Sequence, residues 1–211
     1  MEHKLTATLS KHMLDLHDTI EDSYGKRRYM PCLVLLYSGI DVAASLERSS
    51  GSGVGDRFRK WVDRYMLQNS SLNCCAVDLY AARCALVHTY TPESDLSQGG
   101  KARVIAYAFG PAELEKLNDA STLAAQNRQV NVHARALIDA FYEGFGIYLK
   151  EIEADKSRLA EVQQSASLWM VSIDPKVIDN YLEISKLMNA ANPDDKCGDR
   201  RDVPLSPPKE N

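Results

Sequence analysis

No long hydrophobic run occurs in this sequence: the longest, Met30 to Tyr37, has eight residues, far below the roughly 20 that a membrane-spanning helix needs. The first residues, Met-Glu-His-Lys-Leu-Thr-Ala-Thr, lack the apolar stretch of a secretory signal. Cysteine is sparse and odd in number (Cys32, Cys74, Cys75, Cys84 and Cys197), with no C-x-x-C spacing. That pattern speaks against a disulfide framework or a zinc site and predicts a cytoplasmic protein. Positive charge is not in surplus either. The chain has 25 Lys and Arg against 29 Asp and Glu, net −4, which excludes a protein coated in positive charge for bulk nucleic-acid binding but not a local basic site.

What is present is the composition of a globular protein: 211 residues, 45% hydrophobic and 26% charged, enough to bury a core. Apolar residues at helical spacing (Leu9, Met13, Leu16, Ile20) predict a first helix over 6–22. From Tyr29 to Leu46 the only charge is Asp41, so the second helix is apolar on nearly every side, as a central helix is. A Gly-Ser stretch, 49–55, reads as a linker, and helices follow over 56–67 and 72–90. Segment 93–131 breaks the helical rhythm, with strands expected at Ala102–Phe109 and Gln129–Val132. One long helix is expected from 133 to 165, in which Gly144 and Gly146 suggest close helix approach. A last helix is expected at 175–190. The reading is a mainly α chain: an antiparallel helical bundle over 1–190 with a small β-hairpin inserted in 93–131. The tail, 191–211, holds four of the eight prolines and is expected to be disordered.

At about 100° per residue, Arg83 falls in the centre of the apolar stripe formed by Leu72, Ala76, Leu79, Leu86, Val87 and Tyr90. A guanidinium there is costly unless paired, because it cannot deprotonate. The natural partner is Asp41. One reading of this pair is a buried structural ion bridge. Such bridges contribute little to stability, so a functional reading stands beside it. His88 follows Arg83 by five residues and Tyr90 by seven. Histidine supplies a base near neutrality, and an arginine fork suits phosphate oxygens.

The run Tyr80-Ala81-Ala82-Arg83-Cys84-Ala85-Leu86-Val87-His88-Thr89-Tyr90 resembles the signature of HEPN domains, Arg-x4–6-His, extended in one toxin branch to Arg-x4–6-His-x-Tyr. These are helical bundles whose members include metal-independent ribonucleases of toxin–antitoxin, phage-defence and CRISPR systems. The match is sharp over 83–90 only. The resemblance implies an HEPN-like bundle that cleaves RNA through its 2′-OH without a cofactor, as a homodimer with both motifs lining a shared cleft. Arg83 and His88 would be the catalytic pair, and Asp41, the partner read from the charge pattern, would orient Arg83. Tyr90 would accept AMP from a partner nucleotidyltransferase acting as antitoxin. Cys84 stands where ribonuclease members usually carry Asn, Asp or His.

Positions five apart on a straight helix point about 140° apart. Arg83 and His88 therefore converge only if the helix ends or distorts near His88, or if a second subunit completes the site. Residues 25–64 carry eight basic and four acidic side chains, so Arg27, Arg28, Arg57, Arg59 and Lys60 are candidates for an RNA-binding rim. A solvated surface explains such a run equally. The repeated glycines at 51, 53 and 55 follow no strand and precede no Gly-Lys-Ser/Thr, which disfavours a phosphate loop. His12 and His17 have no third metal ligand at suitable spacing. A second class of function stays open beside the ribonuclease: an HEPN-like binding or assembly module, or a regulatory subunit, without catalysis.

Overall fold

The computed structural model describes residues 3–47, 52–68, 70–124, 128–169 and 175–191. The chain divides into two units, Met1–Trp169 and Met170–Asn211. In chain order the first holds α1 (His3–Gly25), α2 (Tyr29–Ser45), α3 (Val54–Trp61) running into a π-helical turn (Val62–Leu67), α4 (Ala76–Thr89), α5 (Asp95–Gln98), β1 (Val104–Ala108), α6 (Leu114–Leu123), β2 (Gln129–His133), α7 (Ala134–Ala154) and α8 (Lys156–Trp169). The second is described over one helix, α9 (Pro175–Ala191). The expected disordered tail lies, from Asn192 onward, outside the described residues. The protein is mainly helical, and no helix among the described residues is long and apolar enough to cross a membrane.

The apolar second helix is the hub. Helix α2 packs against α1, α3, α4 and α7. Its Cys32, Leu33, Leu36, Tyr37 and Ile40 are wholly enclosed, as a helix without a polar face must be. Pro31 sits in its first turn, where a missing N–H costs nothing. Leu9, Met13 and Ile20 of α1 and Leu137, Ile138, Phe141 and Tyr148 of α7 complete the core.

Three expected elements differ. The helix over 56–67 begins earlier, at Val54, and changes pitch: its second half is π-helical. Gly53 caps it and Gly55 lies within it, so the end of the expected linker is helix; a Cβ on Gly55 would sit 2.8 Å from the Tyr80 ring. The helix over 133–165 is two helices. Asp155 takes an extended conformation, φ −118° and ψ 105°, and its Oδ1 accepts the N–H groups of Ser157 and Arg158 at 2.9 and 3.2 Å. An Asp that satisfies the first free amides of a new turn starts a second helix there. Close helix approach does occur at Gly144, where a Cβ would lie 2.6 Å from the Tyr65 carbonyl oxygen, but Gly146 faces open space.

The third difference is topological. The expected β-hairpin is instead a parallel pair, in register from Val104 with Gln129 to Ala108 with His133. A hairpin needs a tight turn, whereas the connection here runs from residue 109 to 128 and contains α6. That length returns the chain to the same end of the sheet and makes a strand–helix–strand crossover. Strand β1 lies on α4 and β2 leads directly into α7, so the insertion is built into the wall of the bundle beside α4.

Candidate active site

Helix α4 starts four residues later than the spacing predicts, at Ala76, because Cys75 and Asp78 form its cap. The Asp78 carboxylate accepts the Cys75 N–H at 3.1 Å and the Cys75 thiol at 3.0 Å. It also accepts the Arg103 backbone N–H, Nε and Nη2 at 2.7, 3.1 and 2.7 Å. Burial pushes this carboxyl up, but the Cys75 and Arg103 donors outweigh it and hold Asp78 below its ordinary value. An anion at the N-terminus also suits the helix dipole. Arg103 immediately precedes β1, so this contact fastens the inserted sheet to α4.

At the other end α4 stops at Thr89, and Tyr90 takes the left-handed conformation, φ 55°. The Thr89 hydroxyl donates back to the Ala85 carbonyl at 2.8 Å and lies 2.6 Å from the Thr91 hydroxyl. His88 therefore stands in the last turn, exposed, while Tyr90 is 65% exposed beyond the helix.

Between these ends, Arg83 Nε donates to Asp41 Oδ2 at 2.6 Å, and the two side chains are only 15% and 20% exposed. The pair expected from the charge pattern is present. Arg83 Nη1 lies 2.8 Å from His88 Nε2. Arginine has only donors, so in this contact the imidazole Nε2 is the acceptor. The convergence that a straight helix resists is achieved within one chain, by a long guanidinium stem and a helix that ends one residue after His88.

Burial pushes the Asp41 carboxyl above its ordinary value, and the hydrogen bond and charge of Arg83 offset this only in part. For Arg83, burial opposes the charge, but Asp41 and the Cys84 thiol outweigh it. The second oxygen of Asp41, Oδ1, is enclosed without a hydrogen-bond partner among the described residues.

Around α4, at about 100° per residue, Ala82 and Leu86 fall on one side of Arg83 and Tyr80, Cys84 and His88 on the other. Tyr80 is a site neighbour that sequence reasoning missed. Burial, and after it the nearby Cys84 thiol, raise its phenol above the ordinary value; the ring packs on Phe58 and lies under the Arg59 guanidinium, 5.9 Å from the ring centroid. Its spacing, three residues before Arg83 and four before Cys84, was the available signal. On the Leu86 side, Tyr29, Met30 and Leu33 of α2, Ile105 and Tyr107 of β1, Phe109 and Tyr90 enclose an apolar cleft of about 320 Å³. Its aromatic residues come from three segments, with Tyr29 about 60 positions from Tyr90 and about 80 from Tyr107 and Phe109, so no local pattern marks it.

Searches of protein-family models, curated proteins and solved structures find no match to this chain. The site therefore rests on its own geometry.

The expected basic rim divides in two. Arg27, itself left-handed at φ 57°, and Arg28 are exposed at the joint just before Tyr29. Arg57, Arg59 and Lys60 lie on α3. Arg57 donates to the Ser52 carbonyl, Arg59 pairs with Asp56 at 2.5 Å, and Lys60 is exposed beside Arg64. Only Arg59, through Tyr80, is linked to the Arg83 cluster. Among the described residues, no group of three or more His, Cys, Asp and Glu side chains is arranged to hold a metal ion.

Proposed function

We propose that this chain is an HEPN-type, metal-independent endoribonuclease of a toxin–antitoxin or phage-defence system, working as a homodimer on RNA. The observation that carries the reading is one side chain held between two others. Arg83 is anchored by Asp41 and touches His88, at a helix end where His88 is open to solvent.

The chemistry follows from those groups. Asp41 holds Nε and leaves the Nη groups of Arg83 as the positive face for a phosphodiester. As the phosphate oxygens take over the Arg83 donors, the Nε2 lone pair of His88 is released. It accepts the proton of the ribose 2′-OH while the 2′-oxygen forms a bond to phosphorus. The bond from phosphorus to the 5′-oxygen breaks, and that oxygen takes a proton from an acid, the second His88 of the dimer or water. The products are a 2′,3′-cyclic phosphate and a free 5′-OH. Arg83 stabilises the charge that builds on the phosphorane oxygens. Histidine and arginine supply the base and the charge that this cyclisation needs.

Tyr90 supports the toxin branch of the reading. It stands two residues after His88 and is 65% exposed, open to a nucleotidyltransferase that would attach AMP to its hydroxyl. The local basic residues Arg27, Arg28 and Arg59 would guide RNA to the site.

A second reading is favoured by one observation: half-buried Cys84 stands next to Arg83, where ribonuclease members carry a polar residue. An HEPN-like binding or regulatory module would keep the cluster as structure alone. Cleavage of single-stranded RNA in EDTA decides between them. The ribonuclease cleaves, His88→Ala loses activity by about 10²- to 10⁴-fold, and the variant sediments as wild type does. Undiminished cleavage by His88→Ala would falsify the assignment. No cleavage by wild type, with a stable dimer, favours the module.

A further inference from the structure

We infer that the apolar cleft beside Arg83 is a base-stacking subsite, which receives one nucleobase of the single-stranded RNA whose phosphate Arg83 holds. The inference rests on the ribonuclease reading of that site.

The cleft lies along α4 beside Arg83, on the side away from His88. Ala82 and Leu86, which line it, flank Arg83 on the same helix, and Tyr90 closes its end. Because Asp41 meets Arg83 while Met30 and Leu33 face Leu86 and Tyr90 across the cleft, α2 runs antiparallel to α4. The cleft thus extends from Arg83 toward the start of α2. Between Asp41 and Tyr29 that helix rises about 18 Å.

Its chemistry selects the occupant. Tyr29 and Phe109 stack on each other, with centroids 4.1 Å apart and planes 18° apart, and both rings are half-buried. Leu33, Leu86 and Ile105 supply apolar walls. A flat, uncharged ring with apolar faces and polar edges fits there, and a phosphate does not. The Thr91 hydroxyl, on the rim, is held by the Glu93 carbonyl at 2.8 Å. At about 320 Å³ the cleft is at the small end of ligand sites.

Charge brackets the cleft at both ends. Arg83, next to the lining residue Ala82 but not itself in the lining, stands toward one end, and the exposed Arg27 and Arg28 immediately precede Tyr29 at the other. A single strand with one phosphate on Arg83, its neighbouring base in the cleft and the next phosphate near Arg28 meets a cation, an aromatic cleft and a cation in turn. Base-on-aromatic stacking tolerates any base, so the subsite would position the strand rather than read its sequence.

The test uses the full chain and a 2′-O-methyl hexaribonucleotide, which binds but cannot cyclise, with an abasic residue placed at each position in turn. One abasic position should weaken binding about 5- to 150-fold to wild type. That position should lose its effect in Met30→Trp, which fills the cleft from a residue 37% exposed and so spares the core. Tyr29→Ala should behave alike, with circular dichroism confirming that both variants are folded. Cleavage of the unmodified hexamer is measured in parallel. Cleavage with a flat abasic scan overturns the subsite and leaves the ribonuclease standing. A position-specific loss without cleavage upholds the subsite and removes the ribonuclease. No binding of the hexamer overturns the subsite, as does a Met30→Trp variant that turns a dimer into a monomer, which marks the cleft as a subunit contact.

Discussion

Nη1 of Arg83 lies 2.8 Å from Nε2 of His88, five residues further along the same helix. The contact occupies the lone pair that a general base needs, so the resting cluster is closed on itself. On the proposed ribonuclease reading, an anion that draws the guanidinium away would open it and so couple the base to the presence of a phosphate.

Replacing His88 by Gln separates a base from a mere hydrogen-bond partner. Glutamine retains an acceptor for Arg83 but has no titrating nitrogen. The expected result is an unchanged urea midpoint together with cleavage lowered by about 10²- to 10⁴-fold. Cleavage rescued by Gln relative to Ala would show that His88 acts only by holding Arg83.

Arg83→Ala leaves the Asp41 carboxylate 20% exposed without its cation, and about 2–3 kcal/mol of stability should be lost at neutral pH, below the range for a fully buried pair. The sign with pH is distinctive. Burial already raises the carboxyl of Asp41 in the folded protein. A raised folded value gives stability that is present below the unfolded value and lost as pH rises through the folded one. The variant should therefore regain stability relative to wild type on acidification, measured as urea midpoints from pH 7 to 4.

Asp78 should behave in the opposite way. Its folded value lies below the ordinary one, because the Cys75 and Arg103 donors outweigh burial. The stability it brings is present above the unfolded value and lost as pH falls through the folded one. Asp78→Asn should cost about 3 kcal/mol at pH 7, and the gap from wild type should close below the usual carboxylate range. A gap independent of pH would assign the cost to packing instead.

Gly144→Ala tests the packing of α7 on the π-helical turn. An added Cβ would lie 2.6 Å from the Tyr65 carbonyl oxygen, and backbone cannot rotate aside. A loss of about 1–3 kcal/mol is expected, whereas Gly146→Ala, facing open space, should stabilise slightly through helix propensity. Equal effects at the two glycines would refute the close approach.

Helices α1, α2, α4 and α9 were legible because each is written in local spacing, and the apolar second helix announced its own central place. The break at Asp155 was less legible: 133–165 keeps its apolar rhythm, and one carboxylate capping the next turn interrupts it. The π-helical turn was illegible, since it places Tyr65 against Gly144, a residue nearly 80 positions away. Within the cluster, Arg83 and Asp41 stood out because a charge on an apolar stripe demands a partner. Tyr80 and the Tyr29–Phe109 stack did not, because aromatic residues in apolar runs look the same in a core as in a cleft.

By itself, then, the sequence determined a mainly helical chain and an obligatory partner for Arg83, since helical periodicity and the cost of a buried charge are local and composition-level constraints. Tertiary structure decided what depends on distant segments meeting. It made the two strands parallel through the length of the α6 connection, fastened β1 to α4 through Arg103 and Asp78, and set an aromatic cleft beside Arg83. It also turned a spacing that points two side chains apart into a contact, because α4 ends at Thr89 and Arg83 is long enough to bridge Asp41 and His88.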